Sequence, residues 1–253
     1  MTLPQRYYIE DLLLKQEMEN IFYNSWLCIG RSNEINKSGE YKIFTIGNES
    51  LFIIRNENNQ LMAFYNICRH RGTRICSKKN GKYSKSIQCP YHGWTYNLSG
   101  KLIGAPNMDA VEQFNKDNYP LFPANLIEWK GFIFINLSEN PSEFKLEYKP
   151  IINRFSEWEI NDIEIYESKV YHVNCNWKLI IQNYSECYHC PMIHKSLVNI
   201  TSYLGGKNDL VSGPFLGGYM EMKKETVNSL EKINVVGDRV LVKPRKESGR
   251  TDS

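Results

Sequence analysis

Two short pairs of metal-binding residues constrain this sequence more than any other feature. Cys68 and His70 form the first pair, Cys89 and His92 form the second, and the 18 residues 71–88 separate them. Thiolates and imidazoles at this spacing sit on tight loops that can close around one metal centre. Each pair also lies next to a predicted strand, so we expect both loops to be held rigidly.

Two kinds of metal centre fit four such ligands. One is a structural zinc site with two cysteines and two histidines; the other is a Rieske [2Fe–2S] cluster, in which two histidines replace two cysteines on one iron. Zinc fingers usually group like ligands, as Cys-x2-Cys and His-x3-His, whereas each loop here supplies one thiolate and one imidazole. The mixed arrangement favours the cluster, because both thiolates can reach one iron and both imidazoles the other.

A second group of polar residues lies further along the chain. Asn183, Glu186 and His189 recur at every third position, and His194 follows five residues after His189. On a continuous helix the first three share a face, and His194 points about 140° away. Pro191 can end or kink the helix between the histidines, so that both imidazoles converge. Two imidazoles and a carboxylate form the facial triad that holds Fe(II); two histidines capping a helix end are the alternative.

These segments resemble a known family. The loops Cys68-Arg69-His70-Arg71-Gly72 and Cys89-Pro90-Tyr91-His92-Gly93-Trp94 resemble the cluster-binding loops of aromatic-ring-hydroxylating and related Rieske oxygenases. Residues 183–194 resemble the Asn-x2-Asp/Glu-x2-His-x4-His motif of their α subunits. The resemblance implies an α+β fold, in which an all-β Rieske domain precedes a partial helix-grip catalytic domain of antiparallel sheet and helices.

The resemblance also implies cofactors and roles for these residues. Cys68, His70, Cys89 and His92 would bind the [2Fe–2S] cluster. His189 and His194 would bind a mononuclear Fe(II). Catalytic roles would fall to two further residues: Glu186 would connect the iron ligands to a Rieske histidine of a neighbouring subunit, and Asn183 would line the iron pocket.

The function that the resemblance implies is that of an oxygenase component. Electrons would pass from a flavin- or ferredoxin-type reductase through the cluster to the iron, for O2-dependent hydroxylation of an aromatic or quaternary ammonium substrate. Most ring-hydroxylating members have Asp where this chain has Glu186. Glu at this position resembles the branch that oxidises choline, betaines and carnitine. The family also implies a homotrimer. A non-catalytic or vestigial Rieske electron-transfer protein remains the alternative.

One expected residue is absent from the sequence pattern. In the family a carboxylate far downstream is the third iron ligand, and the chain ends at Ser253 before such a segment. Neither Asp209 nor Asp238 lies in a segment that looks like a ligand-bearing helix. We therefore expect either a truncated chain or a shortened protein with an incomplete iron site. Residues 243–253 are predicted to be a solvated tail.

The remaining cysteines are predicted to be packing residues. Cys187 and Cys190 form a Cys-x2-Cys on the predicted ligand-bearing helix, and we expect them to face its packed side rather than to form a zinc or redox pair. Cys28, Cys76 and Cys175 are predicted to be buried thiols. Seven cysteines in this context favour metal binding in a reducing compartment over a disulfide framework.

The pattern of apolar residues predicts the domain organisation. A lead-in helix is expected over residues 9–24 within a segment 1–40, a Rieske domain over 41–140 and a partial catalytic domain over 141–253. Strands are predicted at residues 41–46, 51–54, 61–65, 95–98, 101–103, 131–137 and 163–173. Helices are predicted near Trp158 and from about Asn176.

Charge and hydropathy exclude several classes of protein. The net charge of +3 comes from 31 basic and 28 acidic residues, a balance that argues against nucleic-acid binding. The first twenty residues are interrupted by charges and do not resemble a signal peptide, and no run reaches the roughly 18 apolar residues of a membrane span. We therefore expect a cytoplasmic protein that does not bind membranes.

Overall fold

The protein forms two compact units. The computed structural model describes residues 3–156, 159–209 and 217–223. One unit comprises residues 10–168, and the other comprises residues 1–9 together with 169–253. Both contain helices and antiparallel strands, which confirms the predicted α+β class. The domain boundaries at residues 40 and 140 stay a prediction.

The described part of the first unit is built on three antiparallel sheets. Their strand orders are β4-β3-β2-β5, β6-β7-β8 and β1-β10-β9. The strands are β1 (Leu27–Arg31), β2 (Glu40–Ile46), β3 (Glu49–Arg55), β4 (Leu61–Tyr65), β5 (Asn80–Lys82), β6 (Ser86–Gln88), β7 (Thr95–Asn97), β8 (Leu102–Gly104), β9 (Asn125–Trp129) and β10 (Phe132–Asn136). They confirm every strand predicted before residue 138, to within a few residues at their ends.

Strand β3 lies at the centre of this unit. Leu51, Phe52, Ile53 and Ile54 have no exposed surface. Because side chains alternate across a strand, Leu51 and Ile53 enter one hydrophobic core while Phe52 and Ile54 enter another. The second of these cores also contains Cys68 and Cys89, so the sheet supports the metal-binding loops directly.

The helices of the first unit flank the sheets. They are α2 (Asp11–Glu17), which continues as a π-helical turn over Met18–Phe22, and the short helices α3 (Phe144–Glu147) and α4 (Lys149–Arg154). The lead-in helix is therefore confirmed, but most of its length does not pack on a hydrophobic core. Phe22 at its end packs on the core, whereas Leu12 is 66% exposed because that core lies beside the last turn only.

The second unit contains short helices and a two-stranded sheet in its described part. Its elements are α1 (Arg6–Ile9), α5 (Trp177–Ser185), α6 (Cys190–Ile193), α7 (Lys195–Ile200), β11 (Thr201–Asp209) and β12 (Gly217–Met222). Helix α5 begins as predicted, because the side chain of Asn176 accepts a hydrogen bond from the Lys178 N–H (3.1 Å).

Two other predictions for the region after residue 156 have different outcomes. The strand predicted at residues 163–173 is wrong, because no described strand pairs with this segment to complete a ladder. The helical piece predicted near Trp158 lies outside the described residues. No described helix combines the length and apolar character that a membrane span requires.

Candidate metal centres

The first cysteine-histidine loop is closed by backbone hydrogen bonds. The Cys68 N–H donates to the Thr73 carbonyl (2.8 Å), and the Cys68 carbonyl accepts from the Gly72 N–H (3.0 Å). Gly72 has a φ of 67°, in the left-handed region that favours glycine. The Cys-x-His-x-Gly sequence thus folds into a tight turn that presents His70.

The second loop closes in the same way. The Cys89 N–H donates to the Trp94 carbonyl (2.8 Å), and the Cys89 carbonyl accepts from the Gly93 N–H (3.2 Å). Gly93 also has a positive φ, of 72°. In both loops the cysteine bonds to the residues four and five positions later, so two short sequences of different histidine spacing adopt one bonding pattern.

The two loops bring their imidazoles together. The ring centroids of His70 and His92 are 4.7 Å apart, with 70° between the ring planes. The His70 ring stacks on the buried Trp94 at 4.9 Å and 8°. Phe114 and Tyr119 pack edge-on against Trp94 at 5.7 and 5.6 Å. This aromatic support fixes the orientation of His70.

One atom of His70 lacks a partner. Its Nδ1 is buried and accepts or donates no hydrogen bond within the described part of the chain. Burial is the main cause that lowers the pKa of His70, and the nearby His92 and Arg71 lower it further. The neutral imidazole is therefore favoured. Neutral imidazole is the form that binds metals, and a buried nitrogen without a partner is costly, so a metal ion at Nδ1 would satisfy it.

The two thiols lie side by side in the core. Cys68 and Cys89 are each 3% exposed. Burial raises the pKa of Cys68, hydrogen bonds from Tyr96 and the His70 backbone lower it, and the neighbouring Cys89 raises it again. Two adjacent buried thiolates repel each other, and a bound metal centre would compensate for their charge.

Tyr96 contributes a contact that the sequence analysis missed. Its hydroxyl oxygen accepts a hydrogen bond from the Arg69 N–H (3.1 Å) and lies 3.3 Å from the Cys68 sulfur. Because the oxygen accepts from Arg69, its own proton is free to point at the sulfur. Tyr96 is completely buried, and burial raises its pKa. A signal for this role is the position of Tyr96, two residues after Trp94 of the second loop.

The first loop is also anchored by its arginine. The Arg69 guanidinium donates to the carbonyls of Pro120 (3.0 Å) and Asn118 (3.4 Å) and lies 4.0 Å from the centroid of the Phe122 ring. These contacts fasten the loop to the segment that precedes β9.

The iron-candidate segment folds differently from its prediction. Helix α5 ends at Ser185, and Glu186 is already extended, with φ −129° and ψ 146°. The prediction of one helix that carries Glu186 and His189 and breaks at Pro191 is therefore wrong. Pro191 instead lies in the first turn of α6, where its fixed φ and missing N–H are tolerated. His189 precedes this single turn and His194 follows it.

The single turn places the two histidines close together. The ring centroids of His189 and His194 are 5.2 Å apart, with 70° between the ring planes. The His189 Nδ1 lies 2.8 Å from Glu186 Oε1, and the other carboxylate oxygen accepts from the Tyr188 N–H (2.9 Å). The bond to His189 is the main cause that lowers the pKa of Glu186. Glu186 thus occupies Nδ1 and leaves Nε2 of His189 for a metal.

Asn183 makes no comparable contact with these residues in the described part of the chain. It lies exposed in the last turn of α5, and within the described residues no hydrogen bond joins it to Glu186, His189 or His194. Its assignment to the iron pocket stays a prediction.

The other cysteines differ in part from their predicted role as packing residues. Cys187 and Cys190 are joined by a disulfide, with their Cα atoms 5.0 Å apart, so the prediction that they form no pair is wrong, although Cys190 is buried as predicted. Because α5 ends before Cys187, the two do not share a helix, and the turn folds one thiol onto the other. Cys76 is buried as predicted, whereas Cys28 and Cys175 are exposed.

Two parts of the chain match known protein domains. Residues 25–115 match the Rieske [2Fe-2S] domain, and residues 160–235 match the catalytic domain of ring-hydroxylating alpha subunits. The chain therefore carries both domains of the Rieske-type ring-hydroxylating α subunits. The two domains of this family imply a [2Fe–2S] cluster in the first and a mononuclear iron in the second.

Relatives of this Rieske chain are oxidoreductases. The oxygenase subunit of carnitine monooxygenase from Acinetobacter baumannii is 37% identical over 195 residues, which cover 76% of this chain and 52% of the relative. The oxygenase subunit of glycine betaine monooxygenase from Chromohalobacter salexigens is 34% identical over 198 residues, which cover 78% of this chain and 44% of the relative. The chain spans about half the length of these curated relatives.

Solved structures share the fold of the Rieske chain. A quaternary ammonium Rieske monooxygenase bound to an inhibitor has a TM-score of 0.81 and 32% identity, covering 88% of this chain and 62% of its own. Naphthalene 1,2-dioxygenase from Rhodococcus has a TM-score of 0.74 and 25% identity, covering 88% of this chain and 54% of its own.

The residues present fit the two implied centres to different degrees. In the part of the chain that the structure describes, no three His, Cys, Asp or Glu side chains converge on one point. Two paired thiols beside two paired imidazoles suit a two-iron cluster better than a single zinc ion. At the iron candidate, the described residues bring together two histidines only. Asp209 lies on β11, and Asp238 lies outside the described residues.

Proposed function

We propose that this chain belongs to the oxygenase component of a monooxygenase that oxidises quaternary ammonium compounds. The observation that carries the proposal is the contact between Glu186 Oε1 and His189 Nδ1 (2.8 Å), beside a second imidazole at 5.2 Å. Glutamate at this position, and relatives named for carnitine and glycine betaine, support the quaternary ammonium class over aromatic hydrocarbons.

Each side chain has a role in this proposal. Cys68, His70, Cys89 and His92 hold the [2Fe–2S] cluster, and His189 with His194 holds the mononuclear iron. When bound, the cluster exchanges single electrons and the iron activates dioxygen.

Two further residues position the iron site in this proposal. Glu186 fixes the tautomer and orientation of His189, as carboxylates bonded to metal-binding histidines do. Asn183 lines the pocket. A flavin- or ferredoxin-type reductase supplies the electrons, and the assembly is a homotrimer.

A second candidate is a Rieske electron carrier without oxygenase activity. It is favoured by one observation: among the described residues only two of the three facial-triad ligands converge. The two candidates differ in whether a mononuclear iron is bound and whether substrate is oxidised.

The deciding experiment is a single-turnover assay. The protein is loaded with iron and sulfide, reduced and mixed with labelled dioxygen and L-carnitine, glycine betaine or choline, with naphthalene as the aromatic comparison. We expect labelled oxygen in a product of one quaternary ammonium compound and loss of that product in His189→Ala. His172→Ala, which changes an exposed histidine outside both sites, is the matched control. A reducible cluster without any product would favour the electron carrier.

A further inference from the structure

The segment that carries the cluster loops has an unusual charge. Residues 58–108 contain eight Lys and Arg residues and no Asp or Glu, although the whole chain has 31 basic and 28 acidic residues. Seven of the eight lie within the first loop or between the two loops. We call these seven residues the basic surface: Arg69, Arg71, Arg74, Lys78, Lys79, Lys82 and Lys85.

Within the part of the chain that the structure describes, the charges of the basic surface are not neutralised. All its members except the half-buried Arg69 are exposed, and none forms an ion pair within the described residues. Lysines elsewhere in the same unit do form such pairs, Lys42 with Glu34 and Lys101 with Asp117. A group of like charges without counter-charges produces a local positive potential that attracts acidic molecules.

Part of the basic surface is concave. Arg74 and Lys79 line a cavity of about 580 Å³, and no carboxylate lines it. The cavity also contacts Asn66, whose amide donates to the Cys76 carbonyl (2.8 Å). Asn66 precedes Cys68 by two residues, so the cavity borders the first cluster loop.

The cluster ligands reach the protein surface beside these charges. His92 is exposed, and the Tyr91 ring, 61% exposed, lies 3.8 Å from the His92 ring. On the first loop, Arg71 directly follows His70 and is exposed. Because the proposed homotrimer gives the Rieske histidines to the iron site of a neighbouring subunit, an electron donor would bind over the charged residues beside them rather than over His92 itself.

We propose that the basic surface is the docking site of an acidic electron-transfer protein that reduces the cluster. The inference rests on the proposed function, in that it requires the cluster to be present. In the reaction the donor loses one electron and the cluster gains it. Charge complementarity of this kind accelerates encounter and fixes orientation. The position of the charges around the cluster loops favours an electron donor over a nucleic acid.

The test measures reduction of the cluster by reduced plant-type ferredoxin, an acidic one-electron donor. Its potential of about −400 mV makes transfer to a Rieske cluster favourable. The test variant is Lys78→Glu with Lys79→Glu and Lys85→Glu. The control is Lys37→Glu with Lys145→Glu and Lys149→Glu, which changes three exposed lysines of the same unit by the same charge. Photoreduced 5-deazariboflavin, small and uncharged, reports the intrinsic reducibility of each cluster.

We expect the test variant to be reduced by ferredoxin at least about tenfold more slowly than the control at low ionic strength. The difference should vanish near 1 M salt, where the screening length is about 3 Å. Reduction by deazariboflavin should be equal in both variants.

Several outcomes would overturn the docking site. Equal slowing in both triple variants would show that only net charge matters. Loss of the native oligomer in the test variant alone would assign the surface to a contact between copies of this chain. Loss of binding to a short RNA with unchanged reduction by ferredoxin would assign it to nucleic acid. If deazariboflavin produces no Rieske spectrum in the unmodified protein, the proposed function fails, and the docking site with it.

Discussion

The cluster loops and the iron-candidate segment hold pairs of histidines in contrasting ways. His70 is stacked on a buried tryptophan, both cluster loops are closed by the same backbone bonds, and their cysteines lie in a hydrophobic core. His189 and His194 instead flank one helical turn whose neighbours, such as Tyr188 at 90% exposure, are largely exposed. The first site is therefore organised by the fold before any metal binds, whereas the second depends on local contacts.

The largest expected effect is at the cluster ligands. Cys68→Ser or His92→Ala should abolish the visible and electron-paramagnetic signals of the Rieske cluster, because each removes one of its four ligands. Cys76→Ser is the matched control, since Cys76 is equally buried but lies outside the first loop. A normal spectrum in Cys68→Ser would refute the ligand assignment.

A smaller effect is expected at Glu186. Glu186→Gln keeps the shape of the side chain but removes the charge that faces His189, and such changes reduce metal affinity or activity by about 10- to 100-fold. We expect the Rieske spectrum and iron content to stay nearly intact. Reoxidation of the reduced cluster, measured after rapid mixing with substrate and dioxygen, should be lost or slowed by that factor. Glu164→Gln, at an exposed carboxylate outside the segment, should have no effect. Unchanged reoxidation in Glu186→Gln would mean that electrons take another path.

A still smaller effect is expected at Tyr96. Its hydroxyl proton stabilises the Cys68 sulfur, and more so in the reduced cluster, which is more negative. Tyr96→Phe should therefore lower the reduction potential, by on the order of tens of millivolts, measured by a redox titration. Tyr83→Phe is the control, because the Tyr83 hydroxyl contacts the sulfur of Cys76 instead. An equal shift in both variants would exclude a specific role for Tyr96.

The smallest effect is expected at the disulfide. Cys187→Ala with Cys190→Ala should leave the cluster and the mononuclear iron content unchanged. A bond across so few residues removes little entropy from the unfolded chain, and the turn keeps its own backbone bond from His194 to Cys190 (2.8 Å). Iron analysis decides the point: loss of the mononuclear iron would show that the disulfide, rather than the turn, holds His189 and His194 together.

The sequence predicted the first region well because its signals are local. Strand alternation, the polar turn after β3 and glycines four residues after each cysteine all specify structure within a few residues. The contact of Tyr96 with Cys68 was missed because it depends on how β7 packs against the first cluster loop, 28 residues earlier in the sequence.

The second region was predicted less well. Three-residue spacing suggested a helix through His189, but the chain leaves the helix at Glu186, whose carboxylate bonds the Tyr188 N–H and His189 instead. Side-chain bonds of this kind compete with helix formation and leave no mark in apolar periodicity. The disulfide was missed for the same reason, since it requires the turn that the helix prediction excluded.

If this chain holds two separate metal centres, both should be visible in the metal and sulfide content of the purified protein. We expect about three iron atoms and two acid-labile sulfides per chain, with a Rieske electron-paramagnetic signal after reduction. One zinc ion per chain without sulfide would contradict the cluster, and two irons with two sulfides would contradict the mononuclear site.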